Sequence, residues 1–191
     1  MAGSARTSEP AATGPGRLHR YVIALGANRW HPRHGSPRRT LAAAVQALVR
    51  DGLTIEAVSP WLASVPLGPS RRTYANGAMR VASPLAPAAL LARLQQVETA
   101  FGRRRRGQAW SARVLDLDIV LWSGGCWTDR HLVIPHRHFR DRAFVLTPAR
   151  AVAADWRDPV TGLTLRHLHA RLTAPRALPK RGVLRRLRPG P

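Results

Sequence analysis

The sequence predicts one α+β domain, a four-stranded antiparallel sheet with two helices on one face. Two observations lead there. Apolar segments of strand and helix character follow one another in the order β-α-β-β-α-β, with Pro, Gly or Ser at nearly every junction. Both helical segments carry a one-sided apolar stripe, so each covers one face of a sheet. That order is the split βαβ, or ferredoxin-like, pattern.

Each element has its own warrant. Tyr21 to Leu25 is a short apolar run ending at Gly26-Ala27-Asn28, read as a buried strand and a turn. Residues 29–36 form a polar loop. Ser36-Pro37 opens a helix, Leu41, Ala44, Val45, Leu48 and Val49 fall at helical spacing, and Asp51-Gly52 ends it. Leu53 to Val58 is the second strand. Residues 59–72 are rich in Pro, Gly and Ser, and Val65 to Pro69 cannot be regular structure. Tyr74 to Val81 is the third strand. Pro87 starts a second helix with Leu90, Leu91, Leu94, Val97 and Phe101 on its apolar face, and Gly102 stops it. After four consecutive arginines, Arg103 to Arg106, comes a strand from Val114 to Leu121. Leu132 to Ile134 is a brief strand. Ala143 to Val152 is partly helical and interrupted by Pro148, and Leu163 to Leu172 is a last helix. With the face opposite the two main helices free, the loops around 26–36, 60–75 and 102–113 would gather there.

The chain has 191 residues, enough for one domain with a real core. The domain is placed at 20–172, between a disordered tail at 1–19 and a basic one at 173–191. Its formal net charge is +21, with Lys180 the only lysine. Such charge attracts anions such as nucleotides or nucleic acid. Cys126 is the single cysteine, so no intrachain disulfide forms, and a cytoplasmic setting is expected. No apolar run reaches about 18 residues, which predicts no transmembrane helix.

The chemistry concentrates at Gly102 to Ile119. Asp116 and Asp118 alternate on a strand, so they share a face, with Cα atoms roughly 7 Å apart. Two such carboxylates suit Mg²⁺ shared with phosphate oxygens. Arginines upstream suit phosphate, which guanidinium binds bidentately. A magnesium-nucleotide site is the expectation. An isolated Asp-x-Asp is more often ordinary structure, but acids are scarce here, and two inside an apolar strand are costly without a compensating cation.

Six motifs in order make the chain resemble the 6-hydroxymethyl-7,8-dihydropterin pyrophosphokinases of folate synthesis over roughly residues 20–172. They are Ala24-Leu-Gly-Ala-Asn28, Pro66-Leu-Gly-Pro69, Tyr74-Ala-Asn76, Leu90-Leu91 through Gln95, Glu98, Gly102 and Arg103, Trp110-x-x-Arg113-x-Leu-Asp116-Leu-Asp118-Ile119, and Ile134-Pro-His136 leading to Arg142-Ala-Phe144. The resemblance implies a ferredoxin-like fold and transfer of the diphosphate of ATP to the pterin hydroxymethyl group, releasing AMP. It implies that Asp116 and Asp118 hold two Mg²⁺ ions, and that Arg103 and Arg113 join them in catalysis. Gln95, Glu98, Arg105, Trp110, Ile119, His136 and Arg142 are then further ATP contacts, beside Arg103 and Arg113. Ser64, Val65, Leu67, Tyr74, Asn76, Trp110 and Phe144 are the pterin contacts: aromatic walls, an amide and a loop backbone. The loop departs from the family pattern at Ala109, Ser111 and Ala112, and Arg137 follows His136 where an aromatic or small residue is usual. Two rival readings are a catalytically weakened pterin-binding paralogue and a basic RNA-binding module. The expected partners are ATP and hydroxymethyldihydropterin, with no membrane, nucleic acid bound only weakly through the basic tail, and a monomeric chain.

Overall fold

The computed structural model describes residues 18–64, 73–103 and 114–175. The strands are β1 (His19–Ala27), β2 (Thr54–Val58), β3 (Leu62–Ser64), β4 (Tyr74–Ser83), β5 (Asp116–Trp122), β6 (Trp127–Thr128) and β7 (Val133–Ile134). The helices are α1 (Pro37–Arg50), α2 (Pro87–Ala100), α3 (Ala143–Ala153) and α4 (Leu165–Thr173), with a 3₁₀ turn at Phe139–Asp141. The main sheet runs β2-β4-β1-β5, and every pairing in it is antiparallel. This is the expected ferredoxin-like order, with the first and third long strands at the centre.

Three expectations are corrected. The chain does not turn at Gly26: β1 runs through Ala27, because Gly26 and Ala27 are paired to Asn76 and Ala75 of β4. Leu62 to Ser64, within the stretch rich in Pro, Gly and Ser, forms β3 against the start of β4, and Val65 to Pro69 lie outside the described residues. The face opposite α1 and α2 is not free. Val22, Ala78, Val120 and Leu121 pack there beneath α3 and α4 with Phe139, Leu146 and Leu165. Pro148 does not interrupt α3. A proline inside a helix forfeits one backbone hydrogen bond, and Pro148 is buried in this second core, where packing offsets that loss.

The larger core lies on the other face. Tyr21, Ile23 and Leu25 of β1 meet Leu41 and Leu48 of α1 and Leu90 and Leu94 of α2. Burying one such side chain contributes about 1.5–3 kcal/mol. A central strand buried on both sides reads as an unbroken apolar run, as Tyr21 to Leu25 does. The helix-covered sheet leaves one end of its second face open, where β4 and β5 carry polar side chains and β1 carries only Ala24 and Gly26.

Candidate active site

Strand register builds the site. Gly26 on β1 lies opposite Asn76 on β4 and Asp116 on β5. Ala24, two residues earlier, lies opposite Ala78 and Asp118. Directly opposed residues project to the same face, so Asn76, Asp116 and Asp118 share the face that α3 only partly covers. Gly26 has no side chain to fill the gap. A methyl group there would sit 3.7 Å from Asn76 Oδ1 and 3.9 Å from Asp116 Cβ. The floor is thus a slot with an amide on one wall and a carboxylate on the other.

Asn76 is buried, and its Nδ2 donates to Ser64 Oγ at 2.7 Å. That bond fixes the amide orientation and leaves Oδ1 toward Gly26. Tyr74, half-buried, sits two residues before Asn76 and opposite Ser64. Ser64 therefore contributes its hydroxyl, where backbone contacts had been expected of its loop.

Asp116 and Asp118 are both half-buried. The Arg103 guanidinium pairs with Asp116 at 2.8 Å and with Glu98. Glu98 also accepts the Leu117 N–H at 2.8 Å. Only 3% of Glu98 is exposed, and burial raises its pKa above the ordinary carboxyl range. Its place in the fold is inward, tying the end of α2 to the backbone between the two aspartates. Gln95, one turn earlier, is half-buried and makes no side-chain hydrogen bond among the described residues.

His136 and Arg142 approach from the other side. The His136 N–H donates to the Val120 carbonyl at 3.1 Å, which docks this turn on β5. Burial is the main cause that lowers the His136 pKa, followed by Arg142 and His138. Asp116 acts in the opposite direction, which places His136 within electrostatic reach of the carboxylates. Burial thus favours the neutral form of the ring. Nδ1 accepts the His138 N–H at 3.3 Å, so the ring proton resides on Nε2. The Arg142 guanidinium stands over the Phe144 ring at 5.9 Å. Phe144, in the first turn of α3, packs half-buried against the second core.

Of the expected site residues, Ser64, Tyr74, Asn76, Arg103, Asp116, Asp118, His136, Arg142 and Phe144 stand around this open end, while Glu98 is turned inward behind Asp116. Ile119 is corrected as a side-chain contact. It points into the α1/α2 core with 2% exposure, so only its backbone on edge strand β5 remains available. Val65, Leu67, Arg105, Trp110 and Arg113 lie outside the described residues. Sequence reasoning missed the slot itself. Its signal was small residues, Ala24 and Gly26, at alternate positions of a strand that is otherwise bulky.

The donor set fits magnesium with a nucleotide. Among the described residues no group of three or more His, Cys, Asp or Glu side chains could hold a metal ion. Mg²⁺ is commonly held by one or two carboxylates, with substrate phosphates and water completing six oxygens. Asp116 and Asp118 offer that number, on one face.

A family model described as 7,8-dihydro-6-hydroxymethylpterin-pyrophosphokinase matches residues 22–154. A 2-amino-4-hydroxy-6-hydroxymethyldihydropteridine pyrophosphokinase of Synechocystis sp. is 34% identical over 152 residues, 79% of this chain and 75% of that protein. The protein of the same name from Pseudomonas aeruginosa is 39% identical over 144 residues, 74% of this chain and 85% of that one. Among solved structures, Plasmodium falciparum HPPK-DHPS wild type with pteroate superposes with a TM-score of 0.60 at 12% identity. That match covers 81% of this chain and 42% of the longer Plasmodium chain, and it bears on the fold alone.

Proposed function

The chain belongs to the 7,8-dihydro-6-hydroxymethylpterin-pyrophosphokinase family, and on that premise we propose how its own residues carry the reaction. The enzyme is an ATP-dependent pyrophosphokinase of folate biosynthesis that moves a diphosphate from ATP to hydroxymethyldihydropterin. AMP is the other product.

The observation that carries the residue assignment is the row Asn76–Gly26–Asp116. A pterin is flat and has a donor-acceptor edge. It enters the slot above Gly26, with its edge on the Asn76 amide and its ring between Tyr74 and Phe144. Its hydroxymethyl arm then points toward Asp116 and Asp118. These two carboxylates would hold the two magnesium ions, which supply cationic charge to the polyphosphate oxygens. Transfer needs positioning and charge stabilisation more than covalent help from the protein. Arg103 lies beside Asp116 and is placed to exchange a carboxylate partner for a phosphate. His136, neutral with Nε2–H, donates to a phosphate oxygen without needing a proton from solvent. Arg142 adds a further guanidinium on the same side. Arg105, Arg113 and Trp110 remain proposals from the motif alone, as closers of the nucleotide side. The chain is proposed to act as a monomer. Among the described residues no helix is long and apolar enough to cross a membrane, and the lone cysteine suits the cytoplasm.

The test is AMP formation from ATP and Mg²⁺ with and without 6-hydroxymethyl-7,8-dihydropterin, comparing parent with Asp116→Ala. Pterin-dependent AMP release abolished by the substitution is expected. ADP release, or full activity in Asp116→Ala, would refute the assignment. Mg²⁺ titrated calorimetrically into the complex with a non-hydrolysable ATP analogue should show two sites in the parent and fewer in Asp118→Asn.

A further inference from the structure

We infer a second binding surface, for single-stranded nucleic acid, on the loop between β1 and α1. Its centre is Trp30, which is 71% exposed. The loop around it is built, not slack. His31 and Gly35 exchange two backbone hydrogen bonds of 2.8 Å. His31 Nδ1 accepts the N–H groups of Arg33 and His34. The His34 ring stacks on Phe101 at the end of α2, with centroids 4.9 Å apart and planes at 23°. Within this frame Gly35 has φ +79°, and a methyl group on it would lie 3.5 Å from the Trp30 ring and 3.9 Å from the Arg39 side chain. The indole thus lies against Gly35, beside Arg39, and is otherwise open to solvent.

The charge around this indole has one sign. Arg29, Arg33, Arg38 and Arg39 are all exposed. Among the described residues none of them makes an ion pair. The sequence holds no acidic residue between Glu9 and Asp51, and Asp51 is already paired with Arg93. Arg38 and Arg39 moreover sit in the first turn of α1, which carries no acidic residue. Cations there oppose the helix dipole, so the local field is unrelieved without an anion.

A fixed, open aromatic face among unpaired guanidiniums is what a single strand requires: a base stacks while flanking phosphates meet arginines. A duplex hides its base faces, whereas an unpaired base offers one to this indole. The loop supplies no residue to the catalytic row Asn76–Gly26–Asp116, so its substitutions should leave pyrophosphoryl transfer intact. Most of the basic tail at 173–191, where nucleic-acid contact was expected, lies outside the described residues.

The test uses the full chain and fluorescein-labelled U12 and dT12, followed by anisotropy at several salt concentrations. Trp30→Ala should weaken binding about tenfold, while Trp30→Phe, which keeps a stacking face, should lose less than about threefold. Arg33→Ala with Arg39→Ala should lower the slope of log K against log salt by about 1.4, near 0.7 per phosphate contact. AMP formation should stay at the parental rate in all three, which also reports that they fold. Equal affinity for both oligomers would identify any single strand as the ligand, and preference for U12 would identify RNA. Affinity unchanged by these substitutions would overturn the inference. So would competition by duplex DNA or polyglutamate that is as strong as that by U12 and indifferent to Trp30.

Discussion

Replacing Glu98 by alanine should unsettle both aspartates at once. The Leu117 N–H that Glu98 accepts lies between Asp116 and Asp118 in the chain. Alanine would orphan this buried donor, which costs about 1–3 kcal/mol. Removing the rest of a side chain that is 3% exposed adds about 1 kcal/mol of lost packing. Arg103 keeps Asp116 as a partner and is 28% exposed, so its lost ion pair adds less than about 1 kcal/mol. The total is about 2–5 kcal/mol, or a melting temperature lower by about 4–20 °C for a domain of this size. Glu98→Gln keeps an acceptor for Leu117 and should cost about 1 kcal/mol. Burial raises the Glu98 pKa, so the stability tied to it is fully present below the ordinary value of 4.5 and declines as pH rises through the raised one. The deficit of Glu98→Gln should therefore shrink toward neutral pH. Urea unfolding at several pH values measures all three quantities, and steady-state kinetics should show kcat falling more than KM rises in Glu98→Ala. If the alanine and glutamine variants unfold within about 0.5 kcal/mol of one another, Glu98 is not holding the β5 backbone.

Asp116→Asn should keep the fold, since an amide oxygen still accepts from Arg103, yet lower kcat about 10²–10³-fold in the AMP assay. Gly77→Ala should destabilise by about 1–3 kcal/mol in urea unfolding, because the added methyl would sit 2.4 Å from the Trp61 ring and force it aside. Asp158 is fully buried and takes a two-pronged contact from Arg140 at 2.6 and 2.7 Å. Despite burial, hydrogen bonds from Arg140, Thr161 and Val160 leave its pKa below the ordinary 3.8. The stability it contributes is present above that value and lost as pH falls through the lowered one. Asp158→Asn should thus flatten this part of the acid limb of an unfolding curve taken from pH 5 to 2. Phe144→Ala should raise KM for the pterin several-fold while leaving KM for ATP near the parental value.

Both main helices and the three long strands were legible because their patterns are local. Leu41, Ala44, Val45 and Leu48 repeat at helical spacing, and Asp116 and Asp118 alternate on one strand. What escaped depends on partners far along the chain. β3 has only three residues, too few for any pattern, and exists because β4 offers it an edge. The second helical layer was hidden by Pro148 and by the irregular stretch before it. Its trace was in β1, where Val22 and Ala24 are apolar on the face opposite Tyr21 and Ile23 and so required cover. Glu98 was expected at the nucleotide, yet it falls four residues after Leu94 on the buried stripe of α2 and faces inward. Periodicity could not say which backbone N–H it would accept. The slot above Gly26 needed the register of three strands, which no single segment encodes.

That register makes the sheet a ruler. Asn76 and Asp116 are held two strand spacings apart, about 9–10 Å, by backbone hydrogen bonds through Gly26. On the proposed assignment of Asn76 and Asp116, the distance from the recognised edge of a substrate to the atom that accepts the diphosphate is a property of the peptide backbone. Loops around the slot can change how fast a substrate enters or how long it stays. A substrate with a longer or shorter arm would be rejected by geometry, and no loop substitution would readmit it. Sliding β1 by two residues would bring the bulkier Ala24 into the row between the amide and the carboxylate, closing the slot without touching either wall.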